Sequence, residues 1–325
     1  AALQRLQPDF VVTATDTVAA EALDRLATGS GAEHTVLVPS ARAVRLSADR
    51  EGLRRLAADE LGLPTAPFWF VGSLGELEAV GAHAGYPLLV KPVAGPGGSG
   101  QSVAAGSEDL GPAWQRAAGG HAGPGQPRVL AETVVEVEFY VTLLAVRSEG
   151  PAGPSIEFCS PIGHRGSGGQ VLESWQPQKL SAAATDAARS IAARIVKALG
   201  GRGVFAVELM INGDEVYFVD VTAYPTDSAW VTLRSQRLSA FELQARTVLG
   251  LPVDTMMVSP AATRAIEPVD SHDPAALRGA LNVPESDLRV LGRGYRALAT
   301  APEVTAARER AGQVARRLAA PQSPA

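Results

Sequence analysis

The sequence has a single cysteine, few aromatic residues and no long apolar run, and each shortage narrows what the chain can be. Of its 325 residues only Cys159 carries a thiol, so neither an internal disulfide nor a multi-cysteine zinc site is available. A reducing compartment, the cytoplasm, is the expected address. No window reaches the roughly 18 consecutive apolar residues that a membrane span requires, and no basic segment followed by an apolar one marks export. Lysine and arginine total 29 against 34 acidic residues, for a formal net charge of −5. Without a basic run, a nucleic-acid groove is not expected, and the partners should be small molecules. Hydrophobic residues at 46% against 19% charged exclude a disordered tail protein, and the length suggests two or three packed units.

The first residues lead, without a Met, straight into the β-branched run Phe10-Val-Val-Thr, as though an upstream part of the fold were absent. A helical pattern through Ala19, Leu23 and Leu26 and a strand from Thr35 complete a βαβ fragment, which normally belongs to a larger parallel sheet. Ser47 is placed to cap a helix carrying Asp49 and Glu51 in its first turn, stopped by Gly62 and Pro64. The text YPLLVKPV from Tyr86 reads as a strand with one lysine, Lys91, in an apolar setting. It runs into the glycine-rich AGPGGSGQ. Two strands are expected between Arg128 and Val146, a loop at GHRGSGG from Gly163, and a long helix capped by Ser181 and ended by Gly200 and Gly201. GVFAVELMI and EVYFVDV flank Asn212-Gly213-Asp214 as a hairpin. A last helix is expected from Pro302 to about Leu318, with a frayed tail beyond it.

Two features carry chemistry. Glu208 and Asp220 lie on the two hairpin strands; a three-residue turn would pair them on one face about 5 Å apart. Adjacent carboxylates repel, so one is protonated or a divalent cation sits between them, and Mg²⁺ suits such a site when phosphates complete it. A two-residue turn would place them on opposite faces, where they are ordinary solvated carboxylates. The second feature is the Gly95 to Gly100 loop, which matches GxGxxG but precedes a strand and not a helix, so the dinucleotide-binding geometry fails; a phosphate loop ending in Gly-Lys-Ser/Thr is absent as well. With Lys91 before it, the loop could still bring backbone N–H groups and a point charge to phosphate oxygens. A plain hairpin loop is the other reading.

In order and spacing these parts resemble the ATP-grasp superfamily, and within it the formate-dependent phosphoribosylglycinamide formyltransferases. The resemblance spans nearly the whole chain, most specifically at ARAVRLSADREGLRRLAADELGLPT from Ala41, GYPLLVKPV from Gly85, SPIGHRG from Ser160, ESWQPQ from Glu173, GVFAVEL from Gly203 and ALATAPEV from Ala297. It implies an α/β (α+β) ATP-grasp fold: a partial N-terminal parallel-sheet domain over residues 1–40, an ATP-grasp domain over 41–250 with a lid at about 65–132, and a C-terminal antiparallel-sheet domain over 251–325. It also implies that ATP and Mg²⁺ convert formate to formyl phosphate, which the amine of glycinamide ribonucleotide captures, in a homodimer. Carried over position by position, Arg50 and Lys91 contact the ATP phosphates as the catalytic pair. Pro96, Gly97, Gly98, Ser99, Gly100 and Gln101 close over them, Glu132, Thr133, Val134 and Val135 receive the adenine, and Tyr140 stands at the ribose position. Glu208 and Asp220 hold the metal, and Asp227, Arg293 and Arg296 face the ribonucleotide.

The chain departs from the family at several of these positions. Tyr140 stands where a carboxylate grips the ribose hydroxyls, and a phenol is the weaker acceptor. Thr222 and Tyr224 in VTAYPTD replace a pattern that ends in a phosphate-binding arginine, Ser99 replaces a lysine, and Ala14 replaces a glutamate. The segment GRGYRALAT is a shortened basic stretch. These changes keep two other readings in play: a related ligase acting on another carboxylate, and a degenerate pseudoenzyme with a binding role. His164 and Arg165 are loop residues within reach of substrate or simply solvated; Trp175 reads as packing.

Overall fold

A computed structural model of the chain describes residues 5–15, 18, 22–25, 35–93, 100–119, 127–150, 153–167, 170–267, 274–291 and 294–319. At its start, β1 (Phe10–Val12) and β2 (Val36–Val38) pair in parallel, as the βαβ pattern requires. Next come α1 (Ala41–Ala48) and α2 (Arg50–Arg55), separated by Asp49. The helix expected to start at Ser47 starts later. The Asp49 carboxylate accepts the Gly52 N–H at 3.0 Å, whereas the Ser47 hydroxyl turns back to the Val44 carbonyl. An anionic cap is favoured at the positive end of the helix.

A smaller four-stranded unit, lying where a lid is expected, comprises β3 (Phe68–Val71), α3 (Leu74–Ala84), β4 (Leu88–Pro92), β5 (Ser102–Ala104), α4 (Leu110–Ala118) and β6 (Val129–Thr133). Its four antiparallel strands run β3-β6-β4-β5. Leu88, Val90, Val129 and Ala131 point to one face, where Leu77 and Val80 of α3 and Leu110 and Ala113 of α4 cover them. The period of two then sends Leu130, Glu132 and Lys91 to the other face. That alternation accounts for a lysine inside an apolar strand.

The rest of the chain builds one nine-stranded sheet. Its elements are β7 (Phe139–Gly150), β8 (Gly153–Phe158), β9 (Ile162–Ser167), β10 (Gln170–Gln176), α5 (Ala182–Leu199), β11 (Gly203–Asn212), β12 (Glu215–Thr222), α6 (Thr232–Ser235), α7 (Ala240–Leu249), β13 (Ala261–Ile266), α8 (Pro274–Leu281), β14 (Ser286–Leu291), β15 (Gly294–Thr300) and α9 (Val304–Ala319). The strands run β12-β11-β7-β9-β10-β13-β15-β14, with β8 also on β7, so strands from both sides of residue 250 share it. Helix α5, capped by Ser181 through the Ala184 N–H, packs Ala188, Ile191, Ile195 and Leu199 against Leu143, Phe205, Val207 and Phe218. On the opposite face Leu144, Ile162, Val204 and Ala206 meet Ala229, Val231 and Leu243. The first face is closed by a helix; the second is closed only in part, and the uncovered part is the site.

Two local expectations are corrected. The GHRG text forms strand β9, not a loop. Gly163 is there for close approach: a Cβ at that position would collide with the Trp175 ring, whose Nε1 donates to Gln178 at 2.7 Å. The last helix begins at Val304 and not at Pro302, and the tail from residue 320 lies outside the described residues. Among the described residues no helix is long and apolar enough to cross a membrane.

Candidate active site

The hairpin of β11 and β12 is decisive for the carboxylates. Asn212 pairs with Glu215, so Gly213 (φ 58°) and Asp214 form the two-residue turn, the alternative under which the two carboxylates were to face apart. That turn alone would pair Glu208 with Val219 and turn Asp220 to the far face. A β-bulge intervenes: Leu209 pairs with Phe218 but Glu208 with Asp220, so one extra residue shifts the register and brings both carboxylates to one face. The signal lies in the sequence. Val216 and Phe218 enter the α5 core, and the next core residues are Val221 and Ala223, so the alternation breaks at the bulge.

Across β9, β7, β11 and β12 a row of polar side chains now shares the uncovered face. Thr142 lies opposite Glu208, and His164 opposite Tyr140. Glu208 accepts from the Thr142 hydroxyl at 2.9 Å on Oε1, and from His164 Nε2–H at 2.8 Å on Oε2. Each oxygen keeps a lone pair for a cation. Tyr140 is about half exposed, and its ring centroid stands 6.3 Å from that of His164. Asp220 accepts the Val221 N–H at 2.8 Å. Burial raises its pKa to about 6, the Val221 N–H, Arg50 and Arg54 pull it back, and repulsion from Glu208 adds to the rise.

Lys91 and Glu132 meet on the inner face of the four-stranded unit. Glu132 is 4% exposed and grips Arg54 with Oε1 and Lys91 with Oε2. Burial works against its charge, but Lys91 and then Arg54 outweigh it and hold its pKa below the ordinary value. The Glu132 side chain is thus engaged with cations, while the backbone of the same segment is anchored by Thr133 N–H to Pro67 O at 3.0 Å and Val134 N–H to Pro87 O at 3.2 Å. Arg50 Nη1 donates to the Pro92 carbonyl at 2.8 Å, and Arg54 Nη1 to Phe218 O at 3.2 Å. Helix α2 therefore bridges that unit and the hairpin. Together Arg50, Arg54, Lys91, Leu130, Phe218 and Asp220 line one half-open cavity.

A second, wider hollow lies between the end of β1 (Val12, Thr13, Ala14) and Tyr224, Thr226, Asp227, Trp230 and Phe241. At its margin Arg296, 4% exposed, reaches Asp227 at 3.4 Å. Its Nε and Nη1 are buried and have no hydrogen-bond partner among the described residues. Burial lowers its pKa, with Asp227 opposing.

The expected residues thus gather in two places. Arg50, Lys91 and Asp220 line the first cavity, with Glu132 behind Lys91 and Glu208 beside Asp220; Asp227 and Arg296 stand at the second. Gly100 (φ 72°) and Gln101 enter β5, Val135 follows the anchored segment of Val134, and Pro96, Gly97, Gly98, Ser99 and Arg293 lie outside the described residues. Sequence reasoning missed Arg54, whose signal was its spacing of four from Arg50 on one helix face, and the partnership of Glu208 with Thr142 and His164. Cys159 is no nucleophile: burial pushes its thiol up to about 12, with Glu157 adding to the rise and a hydrogen bond to Gln236 opposing it.

Two carboxylates supply hard oxygen ligands, the chemistry Mg²⁺ selects. Among the described residues there is no group of three or more His, Cys, Asp or Glu that could hold a metal ion. Binding a cation between Glu208 and Asp220 requires Asp220 to ionise. Mg²⁺ affinity is therefore expected to hold above about pH 6 and to fall by up to about tenfold per pH unit below it. Titration of Mg²⁺-dependent nucleotide binding at pH 5 and 7.5 checks this, and equal affinities at both would refute it.

The ATP-grasp domain family matches residues 56–241. The chain is 44% identical over 322 residues to the formate-dependent phosphoribosylglycinamide formyltransferase of Corynebacterium glutamicum (strain R), covering 95% of this chain and 78% of that one. It is also 44% identical to the enzyme of the same name from Paraburkholderia xenovorans (strain LB400), covering 97% and 80%. Among solved structures, the glycinamide-RNase-transformylase T of Mycobacterium tuberculosis superposes with a TM-score of 0.83 at 63% identity, covering 98% of this chain and 83% of that one. An N5-carboxyaminoimidazole ribonucleotide synthetase of Thermus thermophilus shares the fold at 24% identity and a TM-score of 0.79, covering 97% and 83%.

Proposed function

Because the chain belongs to the ATP-grasp family, and within it to the formate-dependent phosphoribosylglycinamide formyltransferases, we propose that its two hollows divide one reaction between them. The enzyme uses ATP to activate formate and transfers the formyl group to glycinamide ribonucleotide, a step of purine biosynthesis. In the first half-reaction a formate oxygen attacks the terminal phosphorus of ATP, the bond to ADP breaks, and formyl phosphate forms. In the second, the ribonucleotide amine attacks the formyl carbon, the bond to phosphate breaks, and the amine loses a proton.

The observation that carries this division is the convergence of Arg50, Arg54 and Lys91 with Asp220 around one cavity. Phosphoryl transfer asks the protein mainly for position and charge neutralisation. In our reading Arg50 and Lys91 bind the phosphates, Gly100 and Gln101 with Pro96 to Ser99 cover them, and Glu132 to Val135 border the adenine beside Tyr140. Mg²⁺, held by Glu208 and Asp220, would neutralise charge on the terminal phosphates. Asp227 and Arg296, with Arg293, face the ribonucleotide, and the two unpartnered nitrogens of Arg296 suit its phosphate. A homodimer in the cytoplasm completes the reading; scattering mass in solution tests the dimer.

Release of ADP from MgATP is expected to depend on formate and to rise with added ribonucleotide. ADP release indifferent to formate, or restored only by a different carboxylate, would overturn the assignment.

A further inference from the structure

The Glu208 carboxylate is one end of a hydrogen-bond chain that leads out of the nucleotide site. Thr142 Oγ1 lies 2.9 Å from Glu208 Oε1 and 2.7 Å from Ser228 Oγ, and Ser228 Oγ lies 3.0 Å from Thr226 Oγ1. Thr142 is fully buried and Ser228 is 1% exposed, so solvent does not substitute for these contacts. A carboxylate oxygen accepts, and a hydroxyl has one proton to give. Thr142 Oγ1 stands as donor toward both Glu208 Oε1 and Ser228 Oγ, so its single proton is shared between them, and Ser228 and Thr226 hold one further hydroxyl contact.

Three hydroxyls thus connect to one carboxylate in a water-poor setting, where such chains polarise cooperatively. The far end is the segment Thr226-Asp227-Ser228, which brackets the carboxylate facing Arg296. A cation on Glu208 draws electron density from the oxygen that Thr142 serves. Asp227 adjoins Ser228 in the chain, and Ser228 contacts Thr142.

We infer that Thr142 and Ser228 are positioning residues that couple the nucleotide site to the ribonucleotide site, so that each substrate tightens the other. This rests on the reading of Glu208 and Asp227 given above. Coupling of this kind is reciprocal and typically amounts to about 5- to 150-fold in affinity. The rival explanation is that the chain merely satisfies buried hydroxyls, in which case its loss changes stability but not coupling.

The test is calorimetric titration of MgADP into the full chain, without formate, in the absence and presence of saturating glycinamide ribonucleotide. At least about fivefold tightening is expected in the parent protein. It should fall below about twofold in Thr142→Val, which keeps shape and loses the hydroxyl, and return in Thr142→Ser. Ser228→Ala provides the same readout if Thr142→Val does not fold. No tightening in the parent, or equal tightening in Thr142→Val and the parent, overturns the inference. Glu208→Gln separates the two layers: undiminished Mg²⁺-dependent binding there removes the cation reading and the coupling with it, whereas loss of that binding alongside intact coupling in Thr142→Val removes the coupling alone.

Discussion

Glu132→Gln is expected to lower stability by about 3 kcal/mol at neutral pH, because it orphans two cations at once. Arg54 is 6% exposed and Lys91 has a side chain 19% exposed, and both lean on the one carboxylate. Glutamine keeps the shape and one acceptor oxygen but removes the charge. At 325 residues the deficit corresponds to roughly 4 °C in melting temperature. The pH dependence follows from the direction of the shift. The Glu132 pKa is lowered on folding from a reference of 4.5, so its stabilisation is fully present above that value and is lost as pH falls through the lower folded pKa. The gap between parent and variant should therefore close on acidification. Adding Arg54→Met to Glu132→Gln should recover part of the loss, since an apolar side chain removes one uncompensated charge. Coincident melting of Glu132→Gln and parent at pH 7 would show that the cluster is only a surface ion pair.

That cluster also marks the limit of what the sequence discloses. The text YPLLVKPV disclosed a strand carrying one lysine, Lys91, and the Asn212-Gly213-Asp214 text disclosed the hairpin. Family resemblance then singled out Glu132. What no local pattern states is that a glutamate of β6, a lysine of β4 and an arginine of α2 converge, because their contacts span 41 and 78 positions. The bulge at Val219 is an intermediate case. Its trace, the broken alternation between Phe218 and Val221, is local, yet hairpin counting from the turn reaches the pairing of Glu208 with Asp220 only under a three-residue turn, and the turn has two residues. Strand β9 was hidden for a different reason: glycines that admit the Trp175 ring look, in text, like glycines that make a loop. The bounds of α2 were missed because Ser47 and Asp49 are both competent caps, and the choice between them is electrostatic.

Glu208→Gln should separate function from stability most sharply. The amide carbonyl can still accept from Thr142, but its NH₂ group faces His164 Nε2, which must present a lone pair to keep that contact. Folding is expected to survive, and even to gain slightly, because a carboxylate that repels Asp220 is gone. With that repulsion removed, the Asp220 pKa should move down toward its ordinary range, while burial still keeps it raised. Activity should fall by about 10³-fold or more in kcat/KM, the scale on which loss of one preorganised charge stabiliser acts. The loss should appear as weakened Mg²⁺ dependence and not as altered melting. Two outcomes would refute the assignment: an unchanged Mg²⁺ titration, or a loss of activity matched by a collapse in melting temperature. The expected pairing of lost turnover with retained or raised stability is what a site of closely set like charges produces, since their repulsion weakens the fold and the cation they attract makes them useful.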